Sequence, residues 1–181
     1  CSNITAMAVR EDTVYLAADG ACVLACSLDG MLLWKQEASA IDRFFSAQDG
    51  RLLAWARQEQ ALYLLEDGAI RRLCALPDLF CTGIEQLYPG DQTPYDCIVC
   101  ANDAFFGWSI DAEAVTQLFT CDAVGLYAGD ILDFCSLGND RYLGLEWAPS
   151  ASGEPGCTLF WLTPVEGKLP EKRTIRVAGS R

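Results

Sequence analysis

The stretch that decides the fold is Val14–Lys35, VYLAADGACVLACSLDGMLLWK. Three short apolar runs are separated here by two Asp-Gly pairs, Asp19-Gly20 and Asp29-Gly30. Glycine readily adopts the positive φ that a tight hairpin needs. The pattern therefore predicts three antiparallel strands joined by two short turns.

This stretch belongs to a unit that recurs four times along the chain. Each unit opens with an isoleucine that is followed, three residues later, by a second bulky apolar residue. These pairs are Ile4/Met7, Ile41/Phe44, Ile84/Leu87 and Ile131/Phe134. The opening isoleucines lie 37, 43 and 47 residues apart, and each unit contains four strand-length apolar runs. Four strands at a period of roughly 40–45 residues are typical of one blade of a β-propeller.

We therefore predict an all-β fold, a β-propeller-like array of four four-stranded blades that is either a four-bladed ring or part of a larger propeller. The expected repeats are 4–40, 41–83, 84–130 and 131–178, within a single domain 1–181. The repeat frame leaves no strand to exchange between the two ends. An open array would expose apolar blade faces, so a homodimer or an adjoining receptor domain is expected to cover them.

Composition excludes several classes of function. The net charge is −12, with −16 on residues 1–167 and +4 on residues 168–181. An acidic body repels phosphate backbones, so nucleic acid is not an expected partner. No apolar run reaches the length of a membrane-spanning helix, so we expect a protein that does not span the membrane. The absence of histidine removes the Ser-His-Asp and Cys-His arrangements and the usual imidazole ligands of zinc.

The ten cysteines are expected to be free thiols that pack as small apolar side chains. Those in or beside apolar runs are Cys22, Cys26, Cys97, Cys100, Cys135 and Cys157. The pair Cys97 and Cys100 has the spacing of a redox or metal motif. On a strand, however, residues three apart point to opposite faces and cannot share a ligand. We therefore predict no metal site, and a reducing or oxygen-free environment.

Val14–Lys35 also resembles the repeat of the pyrroloquinoline-quinone type of propeller. In that repeat VY opens a strand, DG forms a turn, and LDG…LLW leads into an outer strand whose Trp packs between blades, here Trp34. The quinone enzymes bind their cofactor with a calcium ion and adjacent paired cysteines, and this chain has no Cys-Cys pair. The resemblance thus implies the non-enzymatic branch of scaffold and assembly lipoproteins, without a cofactor.

The ending KRTIRVAGSR (172–181) is similar to the first strand of bacterial extracellular solute-binding proteins. This resemblance implies a propeller placed ahead of a transport receptor, in a lipoprotein outside or on the surface of a bacterial cell. The alternative is that Thr174–Ala178 is simply the last strand of the fourth blade.

Candidate binding residues fall into two groups. Three carboxylates lie next to opening isoleucines, where first strands surround a propeller's channel: Asp42, Glu85 and Asp133. The others lie on or beside the long loops 76–83, 120–130 and 148–157: Phe80, Tyr127, Asp130, Trp147 and Glu154. Aromatic rings beside acids suit a sugar or a peptide, and binding residues concentrate on such loops. The alternatives are carboxylates that are solvated or paired and aromatic rings that close the core.

The sequence thus favours a non-catalytic, ligand- or protein-binding or scaffold module of a bacterial cell-surface protein, associated with a transport receptor. The alternative is a propeller-type carbohydrate-active enzyme, a hydrolase or lyase, that uses Glu85 and Asp133. Such a pair needs carboxylates roughly 5–9.5 Å apart. A purely architectural spacer is the third hypothesis. No catalytic residue, cofactor or metal ligand is predicted.

Overall fold

Four antiparallel sheets, each built from four consecutive strands, make up the described chain. The computed structural model describes residues 3–18, 20–66, 68–74, 76–80, 82–147, 156–165 and 168–177. The first sheet contains β1 (Ile4–Arg10), β2 (Thr13–Ala18), β3 (Cys22–Ser27) and β4 (Leu32–Glu37). The second contains β5 (Arg43–Ser46), β6 (Leu52–Ala56), β7 (Ala61–Glu66) and β8 (Ala69–Cys74). The third contains β9 (Gln86–Pro89), β10 (Cys97–Ala101), β11 (Ala104–Ser109) and β12 (Ala114–Thr120). The fourth contains β13 (Ile131–Gly138), β14 (Arg141–Trp147), β15 (Cys157–Val165) and β16 (Lys168–Val177).

In every sheet the spatial order of the strands is the order in the chain. This arrangement confirms the predicted all-β fold class, with one sheet for each repeat. Helical structure in the described ranges is confined to three 3-10 turns, at Asp78–Phe80, Asp122–Val124 and Ala128–Asp130. Among these residues no helix is long and apolar enough to cross a membrane.

The turns explain why the apolar runs end where they do. The glycines of the four Asp-Gly pairs, Gly20, Gly30, Gly50 and Gly68, have positive φ values between 64° and 86°. Among the hairpins that turn without glycine, two have positive φ at both residues of a pair, Asn102-Asp103 and Asn139-Asp140. Asn and Asp tolerate this conformation better than other side chains do, so these pairs serve the same purpose.

The chain divides into two compact units, residues 1–83 and 84–181. The boundary coincides with the predicted boundary between the second and third repeats. That the whole chain forms a single domain stays a prediction.

The core of the first unit lies between its two sheets. Ala17 and Val23 of the first sheet share a cluster with Phe44, Leu52 and Ala54 of the second. Trp34 packs against this cluster, edge-on to Tyr15. Gln36 on β4 also bonds to the backbone of Ile70 on β8, accepting from its N–H at 2.9 Å and donating to its carbonyl at 3.2 Å. The two sheets are therefore joined by apolar packing and by a two-way hydrogen bond.

The core of the second unit is an aromatic cluster centred on Phe134. The ring of Phe134 lies between 4.6 and 6.4 Å from five other rings, centroid to centroid. These rings belong to Tyr88, Phe105, Phe119, Tyr142 and Phe160. The first three come from the third sheet and the last two from the fourth. Phe134 lies three positions after the opening isoleucine of its repeat, so a residue that helps to define the repeat is also the centre of this core.

The cysteines follow the prediction with one exception. Cys22, Cys97 and Cys100 are buried, Cys26 and Cys157 are half-buried, and these are free thiols within the described residues. Cys100 shares a cluster with Ile98 that excludes Cys97, as strand alternation requires. Cys135 is the correction: its thiol is exposed because it lies on the face of β13 opposite Phe134.

A hydrogen bond also joins Cys100 to buried Cys121, which the sequence analysis did not single out; this bond and burial raise the pKa of the Cys100 thiol.

Candidate functional site

Two of the three carboxylates beside the opening isoleucines, Asp42 and Glu85, stabilise hairpins. The backbone N–H of Asp42 donates to the Trp55 carbonyl at 2.8 Å, which extends the pairing of β5 with β6. Its carboxylate accepts a 2.6 Å hydrogen bond from the N–H of Arg57 and lies 3.8 Å from the Nε of the same residue. The Asp42 side chain therefore holds the start of the β6–β7 hairpin.

Glu85 occupies the equivalent position in the third sheet. Its backbone N–H donates to the Cys100 carbonyl at 2.9 Å, as Asp42 does to Trp55. Its carboxylate accepts from the backbone N–H of Asp103, in the β10–β11 hairpin. Burial raises the pKa of Glu85, and so does the nearby Asp103 carboxylate. The same device thus occurs in both units.

Asp133 has a different environment. Its exposed carboxylate accepts a 3.0 Å hydrogen bond from the N–H of Phe134. Burial raises the pKa of the neighbouring Cys135 thiol, and the charges of Asp133 and Asp91 raise it further.

The loop residues divide between core and surface. Phe80 is 1 % exposed, so its ring closes the core and offers no face to a ligand. Tyr127 is 72 % exposed, in a loop whose neighbours Leu126 and Ala128 are buried. Trp147 is exposed at the end of β14, and Asp130 is half-buried at the end of a 3-10 turn. Glu154 lies outside the described residues.

An ion pair fixes the loop that carries Tyr127. Lys172 on β16 lies 2.8 Å from the Glu146 carboxylate and donates at the same distance to the Gly125 carbonyl. Its Nζ also lies 5.3 Å from the centre of the Phe160 ring. The loop 120–130 is therefore tied to the outer strand of the fourth sheet.

The loop 76–83 forms one wall of a pocket in the first unit, which we call the loop pocket. Its volume is about 350 Å³. It is lined by Glu59, Gln60, Arg72, Leu76, Pro77, Asp78, Phe80 and Gly83. The β6–β7 hairpin, the outer strand β8 and the loop thus meet at the end of the second sheet where strand four leaves.

Glu59 is held as an oriented anion in the loop pocket. Its carboxylate accepts hydrogen bonds from the hydroxyls of Ser39 and, at 2.6 Å, Tyr63. These bonds, and the positive charge of Arg72, keep the pKa of Glu59 below its usual value. A carboxylate has about four lone-pair positions, so two stay available to a ligand.

Apolar and polar groups lie side by side in this pocket. Leu76 and Pro77 supply apolar surface, Arg72 a fixed cation, and Asp78 a second carboxylate. Gly83 has a φ of 102°, a backbone conformation that favours glycine, and a Cβ there would make an ordinary contact, 3.5 Å from the Gln60 amide oxygen. Small-molecule sites commonly combine apolar surface with a few convergent polar groups in this way.

Of the predicted site residues, only Phe80 lines the loop pocket, and it does so with little exposed surface. Glu59, Gln60 and Arg72 were not predicted, although the sequence carries a signal for them. The RQEQ hairpin, residues 57–60, joins strands two and three, and such links lie at the same end of a blade as the long loop 76–83.

A second pocket, of about 370 Å³, lies at the opposite ends of the strands in the same unit. Its lining includes Arg10, Glu11, Tyr15, Arg51 and Glu66. Arg51 is paired there with Asp49. Among the described residues no group of His, Cys, Asp or Glu is arranged to hold a metal ion.

Comparison with known proteins identifies the fold. No protein-family model matches the sequence, and no curated protein matches it. A catalytically inactive variant of virginiamycin B lyase from Staphylococcus aureus, with quinupristin, is similar at a TM-score of 0.55 and 10 % identity, over 95 % of this chain and 70 % of that one.

The Dos1 propeller is similar at a TM-score of 0.57 and 11 % identity, over 96 % of this chain and 47 % of that one. This chain thus spans about half the length of the Dos1 propeller chain. At such low identity the likeness shows the fold alone: the protein is a β-propeller with four four-stranded blades.

Proposed function

We propose that this chain is a non-catalytic binding module that takes a short peptide or another small zwitterionic ligand in the loop pocket. The observation that carries the proposal is the juxtaposition of an oriented anion, Glu59, with the cation of Arg72 and with apolar surface from Leu76 and Pro77.

The charges favour a peptide over a neutral sugar. Glu59 and Asp78 suit an ammonium group, whereas Arg72 suits a carboxylate, to which its guanidinium can donate two parallel hydrogen bonds. A neutral sugar would leave these charges without a partner. A sugar therefore remains the second ligand class, and the exposed ring of Trp147 is the feature that supports it.

The wider setting forms part of the proposal. The resemblances at Val14–Lys35 and at the ending support a surface lipoprotein associated with a transport receptor. The ten residues 168–177, however, form the outer strand of the fourth sheet, which accounts for the start of that ending without a receptor. The free thiols support an environment without oxidants.

The test is a calorimetric titration of the chain with trialanine, which carries both charged termini. N-acetyl-trialanine amide, which lacks them, and maltotriose are the comparison probes. We expect saturable binding of trialanine and at least tenfold weaker binding of the other two, because a charged hydrogen bond contributes about 1.5–3 kcal/mol.

Arg72→Gln should weaken trialanine binding by at least about tenfold. Arg71→Gln is the matched control: Arg71 is the preceding residue on the same strand, points to the other face of the sheet and pairs with Glu66. Equal affinities of the two variants would contradict the proposal. Binding of maltotriose alone, unaffected by Arg72→Gln, would select the sugar instead.

The enzyme alternative is supported by one observation, the raised pKa of Glu85, because a general acid must stay protonated near neutral pH. A Glu85→Gln variant that abolishes hydrolysis or elimination on a polysaccharide would establish it. Unchanged or absent activity would leave the hairpin contact as the function of this residue.

A further inference from the structure

The second pocket of the first unit, which we call the turn pocket, lies where turns of the first two sheets meet. Its volume of about 370 Å³ is that of an ordinary small-molecule site. Its walls are the β1–β2 turn, the start of β2, the β5–β6 turn and the end of β7. All of these belong to the first unit, and no lining residue is shared with the loop pocket. The turn pocket is therefore a separate candidate site.

Strand register places three polar side chains together at this pocket. Arg10 pairs directly with Thr13, and Tyr15 follows two positions later on β2. Directly paired residues, and residues two positions apart on a strand, lie on the same face of a sheet. Ala17, two positions beyond Tyr15, is buried on this face in the core between the first and second sheets. The face that forms the core of the first unit thus ends in the polar groups that line the pocket.

These three polar groups have no partner within the described part of the chain. No hydrogen bond or ion pair joins the Arg10 guanidinium, the Thr13 hydroxyl or the Tyr15 hydroxyl to another described residue. The Arg10 side chain is exposed, whereas Thr13 and Tyr15 are half-buried. A guanidinium has five N–H donors, and a hydroxyl both donates and accepts. The pocket therefore presents a cluster of hydrogen-bonding groups that a ligand can use.

A second guanidinium lines the pocket from the second sheet. Arg51 follows the β5–β6 turn, and its side chain is only 25 % exposed. Its Nε donates to the Asp49 carboxylate, which orients the guanidinium. Two guanidiniums from neighbouring sheets favour a ligand carboxylate, to which such a group can donate two parallel hydrogen bonds.

Two carboxylates restrict the ligand further. Glu11 in the β1–β2 turn and Glu66 at the end of β7 line the same pocket. They would repel a bare anion such as phosphate, but each can accept hydrogen bonds from hydroxyl groups. Because they belong to different sheets, they suit hydroxyls spread around a ring better than the N–H groups of a single ammonium. The half-buried ring of Tyr15 supplies apolar surface for the C–H groups of such a ligand.

We propose that the turn pocket binds a sugar acid, a small ring sugar with one carboxylate and several hydroxyl groups. Arg10 and Arg51 hold the carboxylate. Glu11 and Glu66 accept hydrogen bonds from the hydroxyls. A neutral sugar would leave Arg10 without a partner, and a bare anion would be repelled by both glutamates. This site is independent of the peptide site in the loop pocket, so either can fail without the other.

The first measurement is a calorimetric titration of the full chain with D-glucuronate and with D-galacturonate, which differ in the configuration of one hydroxyl. D-glucose, which lacks the carboxylate, and propanoate, which lacks the hydroxyls, are the comparison probes. We expect saturable binding of at least one sugar acid and at least about tenfold weaker binding of both comparison probes, since each loses one set of charged hydrogen bonds. Binding of neither sugar acid, or equal binding of a comparison probe, would overturn the proposal.

Arg10→Gln should weaken binding of the sugar acid by at least about tenfold. Arg57→Gln is the matched control, because it removes the same charge from an exposed arginine at the other end of the strands, where it lies near Asp42. Arg72→Gln, in the loop pocket, should also leave this binding unchanged. Equal affinities of the Arg10 and Arg57 variants, or a loss confined to the Arg72 variant, would overturn the proposal.

Glu11→Gln separates a sugar acid from a bare anion. The substitution should weaken binding of the sugar acid by about threefold or more, because a hydrogen bond to a charged acceptor is stronger than one to a neutral amide. A site for bare anions would instead bind the sugar acid more tightly, since a like charge has been removed. Unchanged or tighter binding would therefore overturn the assignment of the hydroxyls to this carboxylate.

Amide chemical shifts locate the ligand independently of its affinity. Saturating sugar acid should shift the N–H signals of Thr13 and Arg51, which line the turn pocket, and leave that of Gln60 in the loop pocket in place. Circular dichroism of each variant verifies that it is folded. A shift at Gln60 without shifts at Thr13 and Arg51 would place the ligand in the loop pocket and overturn the proposal.

Discussion

Replacing Phe134 by alanine should lower the stability of the second unit more than any surface substitution of similar size. The ring is 2 % exposed and is surrounded by five aromatic rings. Removing a buried phenylalanine ring typically costs about 3–5 kcal/mol, through lost transfer energy and the cavity left behind. This range already includes the lost contacts between aromatic rings, which contribute about 0.5–1.5 kcal/mol per pair, so we expect about 4 kcal/mol.

The assay is urea unfolding at one fixed protein concentration, followed by circular dichroism and tryptophan fluorescence. With an m-value of about 1–3 kcal/mol/M, a loss of about 4 kcal/mol lowers the midpoint by roughly 1.3–4 M. The matched control is Leu137→Ala on the same strand, where an exposed side chain should cost less than about 1 kcal/mol. Equal midpoints for the two variants would refute the aromatic cluster as the core of this unit.

Three further predictions concern the second unit. Lys172→Met should lower the free energy of unfolding by about 2 kcal/mol, since it leaves the half-buried Glu146 carboxylate unpaired. In urea unfolding, the double variant Lys172→Met with Glu146→Gln should recover at least half of that loss, and equal losses in the single and the double variant would contradict the pairing. Gly107→Ala should lower the free energy of unfolding by about 1–3 kcal/mol, because the alanine Cβ would lie 2.3 Å from the Tyr95 ring. This loss should be smaller in a Tyr95→Ala background, and an undiminished loss would rule out the contact. Burial raises the pKa of Tyr142 to about 12, so the folded state binds the phenolic proton more tightly than the unfolded state does. The free energy of unfolding should therefore fall as the pH rises from about 10 towards 12. In urea midpoints measured against pH, Tyr142→Phe should remove part of that fall, and an identical pH profile would contradict the raised pKa.

The sequence predicted the strands because their signals are local. Asp-Gly turns require only the backbone freedom of glycine, and the φ values of Gly20, Gly30, Gly50 and Gly68 agree. The repeat pattern likewise picked out Phe44, Leu87 and Phe134, which are buried, whereas the equivalent residue of the first repeat, Met7, is 64 % exposed. The Asn102-Asp103 and Asn139-Asp140 turns were missed because Asn and Asp occur in loops of many kinds.

The candidate site was harder to predict because it depends on contacts distant in sequence. Ser39 and Glu59 are bonded across 20 positions, and no local pattern announces such a pair. Asp42 and Glu85 were found as charged residues beside an opening isoleucine, but their hydrogen bonds to hairpin N–H groups emerge only when strands two and three are in place. Phe80 shows the reverse case, in which an aromatic residue on a long loop turns inward to the core.

Four sheets of four consecutive strands are the foundation of every inference above, and cross-strand nuclear Overhauser effects test them most directly. The account predicts backbone contacts between Tyr15 and Ala25, Leu53 and Leu64, Val99 and Phe106, and Leu145 and Leu159, one pair at the centre of each sheet. Sequential helical contacts through these segments, or pairing between the central strands of different repeats, would contradict it.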